Sequence, residues 1–330
     1  NEKGGILFDL NRYEEAVECY NKALEINPEY KEAWYWKGST LFNLNRQEEA
    51  IECYNKALEI DPEYKKAWYL KGRTLFNLNR YEEAVECYNK ILEIDLEYEE
   101  VWFLKGSTLL NLNREEEAIE CYDKVLEINP NSKETWNEKG GIYFNLNRHE
   151  EAVECFNKVL EIDPEYKKAW YWKGRTLFNL NRYKEAVECF NKALEIDPEY
   201  QEAWYFKGST LYNLNRYEEA IECYNKALKI EPEYIDAWAM KGISLHNSHR
   251  YDEAERCYDK ALELDINYGM AWYNKACLES LRENKEKSIQ FLKKAIELDA
   301  HYKDSVKDDE DFNNIRDSIE FKELIGELKI

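Results

Sequence analysis

Glycine and proline are scarce in this chain, 12 and 6 in 330 residues, so few positions can break a helix. Methionine (2) and histidine (4) are scarcer still. No apolar run approaches the roughly 20 residues that cross a bilayer, and the opening residues NEKGGILFDL lack the charged and apolar regions of a signal peptide. A membrane is therefore not an expected partner, and the chain reads as soluble and cytoplasmic. Positive charge is in deficit: the formal net charge is −22, which removes the counterion-release drive for nucleic-acid binding. His149, His246, His249 and His301 are scattered without metal-ligand pairing, and no Ser/His/Asp or Cys/His constellation or phosphate-binding glycine loop occurs. The sequence thus offers no catalytic, metal or cofactor residues, and an enzyme is not expected. What it has in quantity is charge (35%) and aromatic side chains (15%), a profile that suits long amphipathic helices.

Those residues recur at a fixed step. Trp34, Trp68, Trp102, Trp136, Trp170, Trp204, Trp238 and Trp272 lie 34 apart, with a glycine four residues after each until Ala276 takes the place. A second series, Ala16 to Ala254, is followed four residues later by Tyr or Phe, as i, i+4 neighbours on one helical face. Cys19, Cys53, Cys87, Cys121, Cys155, Cys189, Cys223 and Cys257 keep the step too, with Cys277 apart. Stacked helices about 8–10 Å apart hold such a column too far apart for disulfides, so the thiols are expected to be reduced and packed.

Helix signals divide each unit in two. Asp61-Pro62-Glu63 reads as the start of one helix, with Asp61 as N-cap, and Asn45-Arg46-Gln47-Glu48 as the start of another, with Asn45 as N-cap. Glu52 and Lys56 form an i, i+4 pair on the outer face. The tryptophans are expected in the core, and the lysine before each glycine, Lys37 and its counterparts, is read as structural, its stem packed and its ammonium reaching an acid or water.

Trp34, Gly38, Leu41, Ala50, Tyr54, Ala57 and Pro62 together resemble the tetratricopeptide repeat (TPR) signature, which has the same period. The resemblance implies an all-α fold: a right-handed superhelical α-solenoid of about nine stacked helix-turn-helix units. The units read as a partial first repeat over residues 1–30, eight tandem repeats over 31–302 and a C-terminal capping segment over 303–330. In the cap, Phe312, Ile315, Ile319, Phe321, Leu324 and Ile325 fall at near-helical spacing. Because the chain opens partway through a repeat, it reads as a piece of something longer.

The resemblance also implies that the first helix of each unit lines a concave groove. Residues repeated in every unit are read as construction, which leaves the groove positions that vary. Asn43, Asn77, Asn111, Asn145, Asn179 and Asn213 would form a ladder of amides suited to gripping an extended peptide backbone. Tyr35, Tyr69, Phe103, Tyr171 and Tyr205 would add flat, stiff contact area. Lys66, Tyr69 and Arg73 form one basic-aromatic station, and Lys168, Tyr171 and Arg175 a second, either able to receive a carboxylate. The expected function is a non-catalytic scaffold that binds a segment or helix of another protein along this face. Self-assembly into homo-oligomers, end to end through the incomplete first unit or through the groove, and service as an accessory domain of a larger enzyme or signalling protein are the other two readings.

Overall fold

The computed structural model describes residues 2–327, and helices account for nearly all of them. They fall into two compact units, Asn1–Arg148 and His149–Ile330. The first contains α1 (Glu2–Asp9), α2 (Tyr13–Ile26), α3 (Lys31–Asn43), α4 (Gln47–Ile60), α5 (Lys65–Asn77), α6 (Tyr81–Ile94), α7 (Glu99–Asn111), α8 (Glu115–Ile128) and α9 (Lys133–Asn145). The second contains α10 (His149–Ile162), α11 (Lys167–Asn179), α12 (Tyr183–Ile196), α13 (Gln201–Asn213), α14 (Tyr217–Ile230), α15 (Ile235–Asn247), α16 (Tyr251–Leu264), α17 (Gly269–Leu281) and α18 (Lys285–Leu298). It closes with α19 (Tyr302–Asp308), a 3-10 turn (Glu310–Phe312) and α20 (Ile319–Ile325). Within each unit consecutive helices pack on one another, and first helices also touch first helices, α3 to α5 and α11 to α13 among them.

Both expected helix starts are displaced, and for related reasons. Asn45 is not an N-cap: it sits at φ 60°, the left-handed position that ends α3, and the Arg46 amide closes a bond back to the Leu41 carbonyl at 2.9 Å. That is a Schellman-type stop, filled by asparagine where glycine is usual. The helix then starts at Gln47 with Arg46 as N-cap, and Arg46 clamps Glu49 with a two-pronged bond of 2.6 and 2.5 Å. Asp61 likewise ends α4, and α5 begins only at Lys65. Its carboxylate accepts from the Glu63 amide at 3.0 Å, an Asx turn, and pairs with Lys31 one unit back at 2.6 Å. On the outer face Lys56 pairs with Glu59, not with Glu52.

The core corrects the role assigned to tryptophan. Within the repeats the fully buried rings are those of the second helices, Tyr20, Tyr54, Tyr88, Tyr122, Phe156, Phe190, Tyr224 and Tyr258. Glycine in the first helix makes their room: a Cβ on Gly38 would stand 2.6 Å from the Tyr54 ring, and one on Gly208 would stand 2.7 Å from that of Tyr224. The eight periodic tryptophans are only half-buried, and each indole N–H donates to the carbonyl six residues earlier, as Trp34 does to Pro28 at 2.9 Å. They tie the loop before a helix to that helix. Their outer ring faces carry the periodic lysines, Lys37 Nζ lying 5.1 Å from the Trp34 centroid and Lys207 5.0 Å from that of Trp204. This cation–π seat explains why lysine can stand before the glycine. Lys139 additionally reaches Asp123, and Lys275, which lies over the Phe291 ring, reaches Asp259, at places where most other units have asparagine.

The C-terminal residues do cover an apolar end, but not as one helix. Phe312, Ile315, Phe321 and Ile325 are buried against Ala276, Cys277, Leu292 and Val306. Ile319 is 65% exposed, because the 3-10 turn and the bend after it rotate the register before α20 begins.

Candidate functional site

The expected groove positions lie on first helices of both units, and the structure sorts them by availability. Asn43, Asn77, Asn111, Asn145, Asn179 and Asn213 are all exposed. For three of them the amide turns back on its own helix: Asn43 Nδ2 donates to Ser39 O at 2.9 Å, Asn111 to Ser107 O at 2.9 Å and Asn213 to Ser209 O at 2.8 Å. Asparagine here satisfies a last-turn carbonyl, leaving mainly its oxygen for a ligand.

The aromatic positions pair across neighbouring repeats. Tyr35 meets Tyr64 at 5.5 Å between centroids, Tyr69 stacks on Tyr98 at 6.4 Å, and Tyr205 meets Tyr234 at 4.9 Å. Tyr35, Tyr69, Phe103 and Tyr205 stay half-buried. Tyr171 does not: at 6% exposure, between Tyr200 at 5.0 Å and Phe206 at 5.9 Å, it is part of the core.

The two basic stations therefore differ. Around Arg175 stand Phe206 at 4.4 Å, Trp172 at 4.9 Å and Tyr171 at 5.8 Å, a three-sided aromatic cage. Leu70 and Leu104 occupy the places of Trp172 and Phe206 in the first station, so nothing draws Arg73 inward. Arg73 is exposed, rests on the Tyr69 ring at 5.6 Å, and has no carboxylate partner among the described residues. Nor does Lys66 or Lys168, both exposed. The Tyr69 hydroxyl donates to the Glu100 carboxylate, and burial, then that bond, pushes its pKa up to about 12. Tyr69 is thus a neutral, fixed plate under a free guanidinium.

One segment already lies on this face. In α17 the counterparts of Tyr35, Ser39 and Phe42 are Tyr273, Cys277 and Ser280, and all three contact the C-terminal residues. The Tyr273 hydroxyl donates to Asp309 at 2.6 Å, the Cys277 thiol donates to the same carboxylate at 3.8 Å, and Asn314 donates to Ser280 O at 3.2 Å. On α15, His246, at the place of Phe42, sits 3.1 Å from Asp311. Nothing in the sequence pattern points to these contacts, because the segment follows no repeat. Cys277, Asp309 and Asp311 are also the one grouping of metal-ligating atoms among the described residues, within 4.8 Å of one another. Burial pushes the Cys277 thiol well above its ordinary pKa, and Asp309 also accepts from the Asp311 amide at 3.0 Å, so the grouping works as a hydrogen-bonded seat.

Comparison with known proteins accords with this architecture. The model described as tetratricopeptide repeat matches residues 99–132, 134–166, 168–200, 202–234 and 235–268, and a second model of that description matches 271–302. Residues 9–91 match anaphase-promoting complex, cyclosome, subunit 3. The chain belongs to the tetratricopeptide repeat family. Among solved structures it is similar to YrrB, described as a TPR protein with an unusual peptide-binding site, at 28% identity over 57% of this chain and 96% of that one, TM-score 0.50. It is similar to MamA at 26% identity, over 52% and 93%, TM-score 0.50. The C-terminal part of a TPR repeat-containing protein from Cytophaga hutchinsonii shares the fold at 16% identity, over 72% and 98%, TM-score 0.61. No curated protein matches at a significant level.

Proposed function

We propose that the chain is a non-catalytic scaffold that holds an extended segment of another protein against the first-helix face of its repeats. The observation that carries this reading is the C-terminal segment, which lies on that face in α17 and α15 through the counterparts of positions that are partly exposed in most other repeats. A face that accepts this chain's own peptide is chemically fit to accept another. Arg73 over Tyr69, with Lys66 on the same helix, supplies a free cation for a carboxylate of the partner. YrrB, a relative above a quarter identical, is described as having a peptide-binding site and points the same way. The cytoplasm, where the partner is expected to reside, belongs to the same proposal.

A photo-crosslinking amino acid at Asn77, on the exposed first-helix face, tests it against one at Glu86 on the second helix. In source lysate, position 77 should capture a discrete protein and position 86 should not. Arg73→Glu should weaken that capture by about tenfold, the scale of one charge-assisted contact. Equal capture from both positions would place binding elsewhere.

A further inference from the structure

Each first-helix ring described above leans on a tyrosine from the start of the next repeat: Tyr35 on Tyr64, Tyr69 on Tyr98, Tyr171 on Tyr200, Tyr205 on Tyr234 and Tyr273 on Tyr302. At Phe103 the series fails. Its partner place is Ser132, which leaves a cavity of about 500 Å³ between α7 and the start of α9. Tyr98, Phe103 and Val125 form its apolar walls. The serine hydroxyl is bonded to Thr135, which also lines the cavity, at 2.8 Å. A volume of this size suits a small ligand group or one large side chain.

The charge around this cavity is of one sign. Three other repeats hold a Lys–Asp ion pair where the lining begins, Lys31 with Asp61, Lys65 with Asp95 and Lys167 with Asp197, whereas Gln201, Ile235 and Gly269 stand at the lysine's place further on. Here those two places are Glu99 and Asn129, joined by a neutral-donor bond of 2.9 Å. Glu100 and Glu134 hold equivalent places in successive repeats, acidic also in Glu32, Glu202 and Asp236 and basic only in Lys66 and Lys168, and Glu100 receives only the Tyr69 hydroxyl among the described residues. Glu134 is exposed and pairs with no cation among them. Three carboxylates therefore rim an apolar hole, and none of the lining residues is basic.

We infer that this cavity is a specificity pocket for an aromatic side chain flanked by lysine or arginine in the bound partner segment, the ring taking the place of the absent tyrosine and the cation meeting Glu100 and Glu134. The inference rests on the groove-binding reading above and names which residues the groove selects. It commits to a peptide and not to a second copy of this chain, because a net charge of −22 on each copy makes two copies repel.

The test uses the full chain and three synthetic peptides, acetyl-Lys-Tyr-Lys-amide, acetyl-Lys-Ala-Lys-amide and acetyl-Glu-Tyr-Glu-amide, followed by saturation-transfer NMR. The first should bind, with transfer strongest at its ring protons, and the other two should bind at least about tenfold more weakly. Ser132→Tyr, which restores the residue the other repeats use, should keep the melting temperature and lose the first peptide by about tenfold or more. Glu134→Lys, at an exposed position, should weaken it without touching the fold. Binding of Lys-Ala-Lys as strong as that of Lys-Tyr-Lys, or no loss in Ser132→Tyr, would overturn the pocket. Crosslinking from position 77 reports on the groove separately, so the pocket can fail while the groove stands.

Discussion

At the scale of single residues the period hides two kinds of glycine. Gly38, Gly208 and their periodic counterparts are sites where a side chain would strike a buried ring, whereas a Cβ added to Gly141, at a groove position of α9, would meet nothing within 4 Å. Gly38→Ala should therefore cost about 1–3 kcal/mol through overpacking against Tyr54. Gly141→Ala should stabilise by about 0.5–1 kcal/mol, since only backbone entropy changes. Urea denaturation of the two variants checks both signs, and a destabilised Gly141→Ala would mean that the open space is filled. Spacing alone assigns one role to every periodic residue, and it misjudges tryptophan in this way. Trp34 is as regular as Tyr54, yet one ring is half-buried at a loop and the other sealed inside. Regularity reports that a position is constrained; burial decides by what.

At the scale of the helix, the punctuation is legible in the sequence but its reading is shifted. Asn45 and Asp61 are boundary residues, as their types suggest, and both end the preceding helix. Asparagine and aspartate serve either end, as N-caps or as left-handed and Asx-turn residues, and only backbone dihedrals separate the two uses. Leu96 occupies a place where most repeats have proline. Asp95 before it has φ −147° and ψ 97°, extended as a residue before proline requires. Leu96 is also 69% exposed, so the substitution sacrifices little packing. Leu96→Pro should thus raise stability by about 0.4–1 kcal/mol by restricting the unfolded chain. Thermal melts check it, and a fall in melting temperature would reveal a hidden role for the leucine.

At the scale of the molecule, the periodic cysteines give both compact units the same pH response. Burial raises the thiol pKa of Cys53, Cys121, Cys189, Cys223 and Cys257 to about 11, and that of Cys87 to about 12. An unfolded thiol ionises near 8.5 while these stay neutral, so their contribution is fully present below about pH 8.5 and is lost as pH rises toward 11. The urea midpoint should fall steadily across that window, and less steeply when Cys87, Cys121 and Cys189 are replaced by alanine. A flat midpoint from about pH 8 to 10.5 would contradict the burial. These thiols should also react with a disulfide reagent only as fast as the helices open, Cys19, which is less buried, leading.

The sequence by itself determined the all-helical repeat, the length of its unit, the family, and the division between invariant framework and variable face, because periodic burial leaves a periodic trace. It also put Lys66, Tyr69 and Arg73 on one helix, α5, where Arg73 rests on the Tyr69 ring. Only the tertiary structure decided that Arg73 stands free while Arg175 is caged, that Tyr171 is core, and that Ser132 opens a cavity against Phe103. Those outcomes depend on which neighbours from adjacent helices fill the space around a side chain. The tertiary structure also decided that a C-terminal segment which follows no repeat lies against α15 and α17.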